Sequence, residues 1–260
     1  MDKVTSADGT SIAFDRLGDG PPVIVVAPAL CDRTDTHALA ERLARRHTMI
    51  NYDRRGRGDS GDTRPYAVVR EVEDIAALIT AAGGAAAVYG HSSGAALALQ
   101  TAAHGCAITK LVVHEPPYGS DDADQRAAAR DIAGTIEAVL AQGRPGEAVE
   151  LFLTGAGMPS ALVKQMSRDP RTQAMAPTLA HEFQIMDNVR SGGTVPAELV
   201  AAVRVPALVL NGEHSPTWMV DSGRRIAHHM PAGHHHVLTG QHHLVPPEVL
   251  VPVLTEFLDG

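Results

Sequence analysis

At 260 residues the chain fits one large α/β domain, or such a core with a small lid, better than two unrelated domains. Hydrophobic residues make up 44% and charged residues 20%, which excludes global disorder, and with aromatics at 3% a sizeable core must be packed by Ala, Val and Leu. The formal net charge of −8 argues against nucleic acid or an anionic membrane as a partner and leaves small metabolites and neutral esters. Residues 3–6 and Ser11–Leu17 read as two strands joined at Asp8-Gly9, a turn-forming pair. Residues 23–27 (Val-Ile-Val-Val-Ala), opened by Pro21-Pro22, form a continuous apolar run suited to a strand buried on both faces. A helix over 36–46, a strand over Thr48–Tyr52, a helix over 68–82, a strand over 86–89, an Ala-rich helix over 94–104 and a strand over 110–114 follow. Such alternation implies a mostly parallel sheet wrapped by helices.

The rhythm changes after Pro116-Pro117. Residues from about 119 to 200 read as helices only, broken at Gly143, at 155–159, at Pro170 and at 191–193. Strands resume over 206–211 and about 235–238, and an apolar-striped helix over 247–258 closes the chain. The expected organisation is therefore an α/β core of residues 1–118 and 205–260, with residues 119–204 inserted as a helical lid over the carboxyl edge of the sheet, where ligands bind in such folds. Cys31 and Cys106 are expected to stay reduced. The amino terminus has no basic segment leading into an apolar run, so a cytoplasmic location without membrane attachment is expected.

Gly90-His91-Ser92-Ser93-Gly94 gains meaning from its setting between a strand and a helix. Ser92 there occupies a sharp turn that the flanking glycines make room for, with its hydroxyl at the positive end of a helix. It is the expected nucleophile, and Ser93 is expected to contribute its backbone N–H. A hydroxyl nucleophile needs a neutral imidazole to take its proton, and position must choose among 14 histidines. The loop after the last strand carries Gln241-His242-His243; His243 is the first choice and His242 the reserve. His228, His229, His234, His235 and His236 read as exposed polar residues, without the carboxylate or cysteine spacing of a metal site. No metal or cofactor is expected.

The carboxylate that orients the imidazole usually follows the strand read here as 206–211, but Ser215 stands in that place. Glu115, ending the strand after the nucleophile helix, is preferred as the acid; Glu213 and an incomplete triad are the alternatives. Arg54, Arg55 and Arg57 alternate with Gly58, Asp59 and Asp62 and read as local pairs around a tight turn in preference to a phosphate site.

With these residues in place the chain resembles the α/β-hydrolase superfamily over nearly its whole length. Residues 52–60 are similar to that family's Asp-x-x-Gly-x-Gly-x-Ser turn, while Gly90-His91-Ser92-Ser93-Gly94-Ala95, His114-Glu115-x-Pro117 and Pro28-Ala29-Leu30 resemble the zearalenone lactonases. The resemblance implies a Ser92–His243–Glu115 triad and an oxyanion hole built from the Ala29 and Ser93 N–H groups. Leu30, Cys31, His91, Trp218 and Met219 are expected to line the substrate pocket, with a core-helix role weighed for Trp218 and Met219. The implied reaction is hydrolysis of a small-molecule carboxylic ester or lactone through an acyl-serine. Two rival classes are a ligand receptor and a non-hydrolytic lyase or cyclase on the same scaffold.

Overall fold

The hairpin expected at the start is present: β1 (Asp2–Thr5) and β2 (Ser11–Leu17) pair antiparallel through a turn in which Gly9 takes φ 86°. In the computed structural model, which describes all 260 residues, six further strands complete one sheet. These are β3 (Pro22–Val26), β4 (Thr48–Tyr52), β5 (Ala86–His91), β6 (Ile108–His114), β7 (Ala207–Gly212) and β8 (Gly233–Leu238). The order is β1-β2-β4-β3-β5-β6-β7-β8, antiparallel at β1–β2 and β2–β4 and parallel elsewhere. The central strands are apolar on both faces because helices cover both.

α1 (Arg33–Leu43) and α12 (Pro247–Asp259) cover one face, burying Leu39, Leu43, Leu250 and Leu254 against β3, β5 and β7 residues in a cluster of 14. α2 (Val68–Ala81), α3 (Ser93–Ala103) and α11 (Thr217–His229) cover the other within a cluster of 31. α2 shows why: Val72, Ile75, Leu78 and Ile79 fall on one stripe at helical spacing. α1 starts at Asp32, whose carboxylate accepts from Thr34 N–H while Asp35 reaches back to the Asp32 N–H. α11 takes up the core-helix role weighed for Trp218 and Met219 and runs further; its polar surface, with two arginines and two histidines, hides a buried stripe of Met219, Val220, Ser222, Gly223, Ile226 and Ala227.

Between β6 and β7 the chain is helical, as expected: α4 (Ala123–Ala141), α5 (Pro145–Gly155), α6 (Ser160–Met166), α7 (Pro170–Met175), a 3₁₀ turn (Ala176–Thr178), α8 (Leu179–Ile185), α9 (Asn188–Ser191) and α10 (Ala197–Ala201). These helices build a third cluster of 12 residues, which Leu30 from the core joins. A bridge between Gly119 and Thr194 ties the start of this segment to its end. No helix is long and apolar enough to cross a membrane.

The order reverses at β3, which pairs with β4 on one side and β5 on the other. The segments leaving β3 and β5 pass to α1 and α3 on opposite faces, so their carboxyl ends flank a crevice of the kind that holds ligands in open α/β sheets.

Candidate active site

Ser92 sits in that crevice. β5 ends at His91 and α3 begins at Ser93, leaving Ser92 between them at φ 53°, ψ −123°. This conformation is costly for a side-chain-bearing residue and is held from both sides: the Ser92 N–H donates to His114 O at 2.8 Å, and the Ser92 carbonyl accepts from Ala95 N–H at 2.8 Å. The two glycines are required by space. A Cβ on Gly90 would collide with the Gly94 carbonyl, and one on Gly94 with the Val26 carbonyl. The close approach brings the end of β3 and its following loop against the first turn of α3. The N–H of Ser93 lies in that first turn, where no preceding helical carbonyl can take it.

Four residues other than glycine adopt positive φ: Leu30, Ser92, Glu115 and Asp187. The first three are the expected oxyanion loop, nucleophile and acid. Strained backbone of this kind persists where surrounding structure over-determines it, and it gathers at active sites.

Glu115 is fully buried at the end of β6, and its Oε2 lies 3.1 Å from His243 Nδ1. Its other oxygen, Oε1, accepts from the Gly212 N–H at 2.6 Å, the Ser215 hydroxyl at 2.9 Å and Asn211 Nδ2 at 3.3 Å. Burial works to raise its pKa, but the His243 bond, the Gly212 N–H and the charge of the neighbouring histidines outweigh it and hold the carboxyl below its usual range. Since a carboxylate can only accept, Nδ1 of His243 is the donor in this bond, and in a neutral ring that places the lone pair on Nε2. His91 Nε2 bonds the His243 carbonyl at 3.1 Å, and its ring stacks on His114 at 4.5 Å between centroids, with His243 at 4.9 Å. Burial first, then the neighbouring histidines, push the His91 pKa well down, so this support is neutral. The Ser92 hydroxyl and His243 are not joined by a hydrogen bond.

The alternatives fall elsewhere. His242 is exposed and tilts against His214, ring centroids 5.2 Å apart. Glu213 is exposed and its Oε2 accepts from the Gly240 N–H at 2.7 Å, bracing the loop that leads to His243. Of the expected pocket residues, His91 lies beneath His243, and Leu30 is buried in the helical cluster. Cys31 is a free, half-buried thiol whose pKa burial pushes up to about 12. Met219 is buried in α11 and accepts from Asn211 through its carbonyl. Trp218 lines an open cleft of about 590 Å³ with Ser120, Gln125 and Arg225.

Two expectations about side chains need correction. Arg54, Arg55 and Arg57 do not pair locally with Asp59 and Asp62; all three are buried and reach across the fold. Arg54 forks onto Glu71 at 2.8 and 2.9 Å and reaches Glu182 of α8 at 3.1 Å; Arg55 forks onto Asp74; Arg57 pairs with Glu182. A guanidinium out of water needs such partners, and removing one from a buried pair costs about 3–5 kcal/mol. His235 is half-buried rather than exposed, with Nε2 3.0 Å from Asn211 Oδ1. It thereby fixes the amide that faces Glu115. The sequence signalled Ser215 by its unusual place but gave no sign of Glu182, which lies 125 residues from Arg57.

Comparison with known proteins bears on the fold. Residues 24–249 match the model of the Alpha/beta hydrolase family. An alpha/beta hydrolase from Sphaerobacter thermophilus DSM 20745 superposes with a TM-score of 0.89 at 46% identity, over 99% of this chain and 100% of the other. A thermophilic esterase from Thermogutta terrifontis (TM-score 0.77, 23% identity, 99% and 97% covered) and a hydrolase from Pseudomonas aeruginosa PA01 (0.76, 23%, 100% and 98%) share the fold. No curated protein sequence matches. The sheet order, the helical insertion between β6 and β7, and the family match across most of its length place the chain in the alpha/beta hydrolase family.

Proposed function

We propose that the chain is a serine hydrolase that cleaves a carboxylic ester or lactone of a small molecule through an acyl-Ser92 intermediate, with residues 119–204 acting as a lid. Ser92 Oγ attacks the carbonyl carbon while His243 Nε2 takes its proton. Glu115 holds the ring through Nδ1 and offsets the imidazolium charge. The Ala29 and Ser93 N–H groups receive the oxyanion. As the tetrahedral adduct collapses, His243 returns the proton to the leaving alkoxide, and the same steps with water release the acid. The role of Glu115 is that implied by the resemblance to zearalenone lactonases.

The observation that carries this reading is the 3.1 Å contact between His243 and a buried, fully hydrogen-bonded Glu115, beside a serine at φ 53°. A fluorophosphonate probe should label Ser92 of the folded protein, and Ser92→Ala should abolish the labelling. A panel of aryl esters and lactones then separates the two substrate types. Folded wild-type protein that resists the probe overturns the acyl-serine reading and leaves the receptor or lyase in its place.

A further inference from the structure

We infer that Arg57 is a positioning residue for the oxyanion hole, and that Glu182 of the helical insertion holds it to that task. This rests on the serine-hydrolase reading above. Arg57 is buried to 1% exposure, and its donors are divided between two parts of the chain. Nη1 donates to the carbonyl of Pro28 at 2.6 Å and to that of Cys31 at 3.1 Å, both in the loop after β3. Nη2 pairs with Glu182, and Nε donates to Thr178 Oγ1 at 3.3 Å, both in the insertion.

The Pro28 carbonyl belongs to the same peptide plane as the Ala29 N–H. That peptide is trans, since the one cis bond lies at Arg64-Pro65, so the two groups point in opposite directions. A guanidinium gripping the carbonyl from one side therefore aims the N–H away from itself, out of the buried network and into the crevice. The loop needs that grip. Leu30, one residue on, sits at φ 57°, a conformation the chain would leave if unheld. A donor serves an oxyanion only when it lies about 2.7–3.1 Å from it and is aimed beforehand, so a peptide plane free to rock loses the effect.

Arg55 in the same turn shows what an arginine with a purely structural part does. It is equally buried and equally paired, to Asp74 and Asp8, and its one carbonyl partner is Arg70 in α2. None of its contacts touches the loop after β3. Arg57 is bound to the loop on one side and to the insertion on the other. Its three nitrogens all have partners, and it is buried, which leaves it unsuited to bind a phosphate. The arrangement links the seating of the insertion to the assembly of the oxyanion hole.

The test compares Arg57→Lys, Glu182→Gln and Arg55→Lys with wild type, using p-nitrophenyl butyrate turnover, affinity for phenylboronic acid as a tetrahedral mimic, and melting temperature. A lysine cannot span two carbonyls and a carboxylate with one planar fork. Arg57→Lys and Glu182→Gln should lower kcat about 10- to 100-fold with KM within about threefold, as a misaimed oxyanion donor demands. Boronate affinity should weaken by the same factor as kcat/KM. Arg55→Lys should lower the melting temperature while kcat stays within about twofold. The inference is overturned if boronate affinity is unchanged in folded Arg57→Lys, or if kcat follows melting temperature alike in all three variants. Should Arg57→Lys fail to fold, the near-isosteric Glu182→Gln decides by the same readouts. Failure of wild type to label at Ser92 removes the underlying reading; labelling with unaltered Arg57→Lys kinetics removes only this inference.

Discussion

The ends of β6 and β7 lie side by side, joined where the Glu115 N–H donates to the Leu210 carbonyl at 2.8 Å, yet they carry opposite kinds of chemistry. β6 ends in His114 and Glu115, a buried imidazole and a buried carboxylate. β7 ends in Asn211 and Gly212, with Ser215 just beyond, and all three donate to one oxygen of Glu115. One strand brings the charge and its neighbour brings the hydrogen bonds that water would otherwise supply. A carboxylate taken out of water without such bonds would protonate instead. Ser215 is then no vacancy left by a missing aspartate. It is a donor to the buried carboxylate one strand away.

Removing the charge is the most damaging way to break this division. Glu115→Gln keeps the shape but sets an amide against Nδ1, with no charge to offset the imidazolium. Turnover of a p-nitrophenyl ester should fall about 10⁴-fold while the circular dichroism spectrum is kept. Glu213→Gln can still accept from the Gly240 N–H and should stay within about twofold. Reversal of the two effects would sink the assignment of Glu115.

Moving the charge asks whether the two strand ends are interchangeable. Ser215 Oγ lies 2.9 Å from Glu115 Oε1, so an aspartate there enters the volume vacated in Glu115→Ala. The double variant Glu115→Ala, Ser215→Asp should recover about 10- to 100-fold of kcat over Glu115→Ala alone, a fraction of what a well-placed triad carboxylate contributes. No recovery in a folded protein would mean that only β6 has a line to His243.

How much of this could be read beforehand follows from how local each feature is. Ser92 was legible because its signals sit within a few residues: an apolar run, two glycines and an Ala-rich helix. The inserted helices were legible because strand patterning stops for some 80 residues and then resumes. α11 was legible only as a core-helix role for Trp218 and Met219, because its buried stripe is interrupted by Arg224 and Arg225 and follows a Pro that reads as loop. The pairing of His243 with Glu115 spans 128 residues, and residue type together with place in the strand order could only narrow the choice. The destination of Arg57 was illegible. Close-set charges of both signs in 53–62 suggest mutual pairing, and only the packed fold shows that Glu182 arrives from α8.

The least of the expected effects concerns the buried histidines in acid, His114 of β6 among them. His114 is buried, with Nδ1 2.8 Å from the Tyr89 hydroxyl and Nε2 without a partner, and burial brings its pKa down to about 3. His181, stacked on Tyr66 at 3.7 Å, is lowered to about 4 by burial, and His91 is lowered in the same direction. The folded state refuses protons that the unfolded chain accepts near pH 6.5. Stability from these groups is thus complete above pH 6.5 and is lost as pH falls toward their folded values, by about 1.4 kcal/mol per pH unit for each such histidine. Glu115, also held low, adds its loss only below the ordinary glutamate range. Between pH 6.5 and 4.5 the histidines therefore contribute to the slope and Glu115 does not. His114→Asn should flatten the urea-unfolding slope in that window by about a quarter, since His235 is lowered by burial as well and the histidine is one of four such groups. Ser215→Ala should instead lower stability by about 1.5–3 kcal/mol at pH 7, the worth of a hydrogen bond to a charged group, and leave the slope unchanged. If Ser215→Ala altered the slope as much as His114→Asn, proton uptake would belong to both strand ends, and the division between a titrating β6 and a donating β7 would fail.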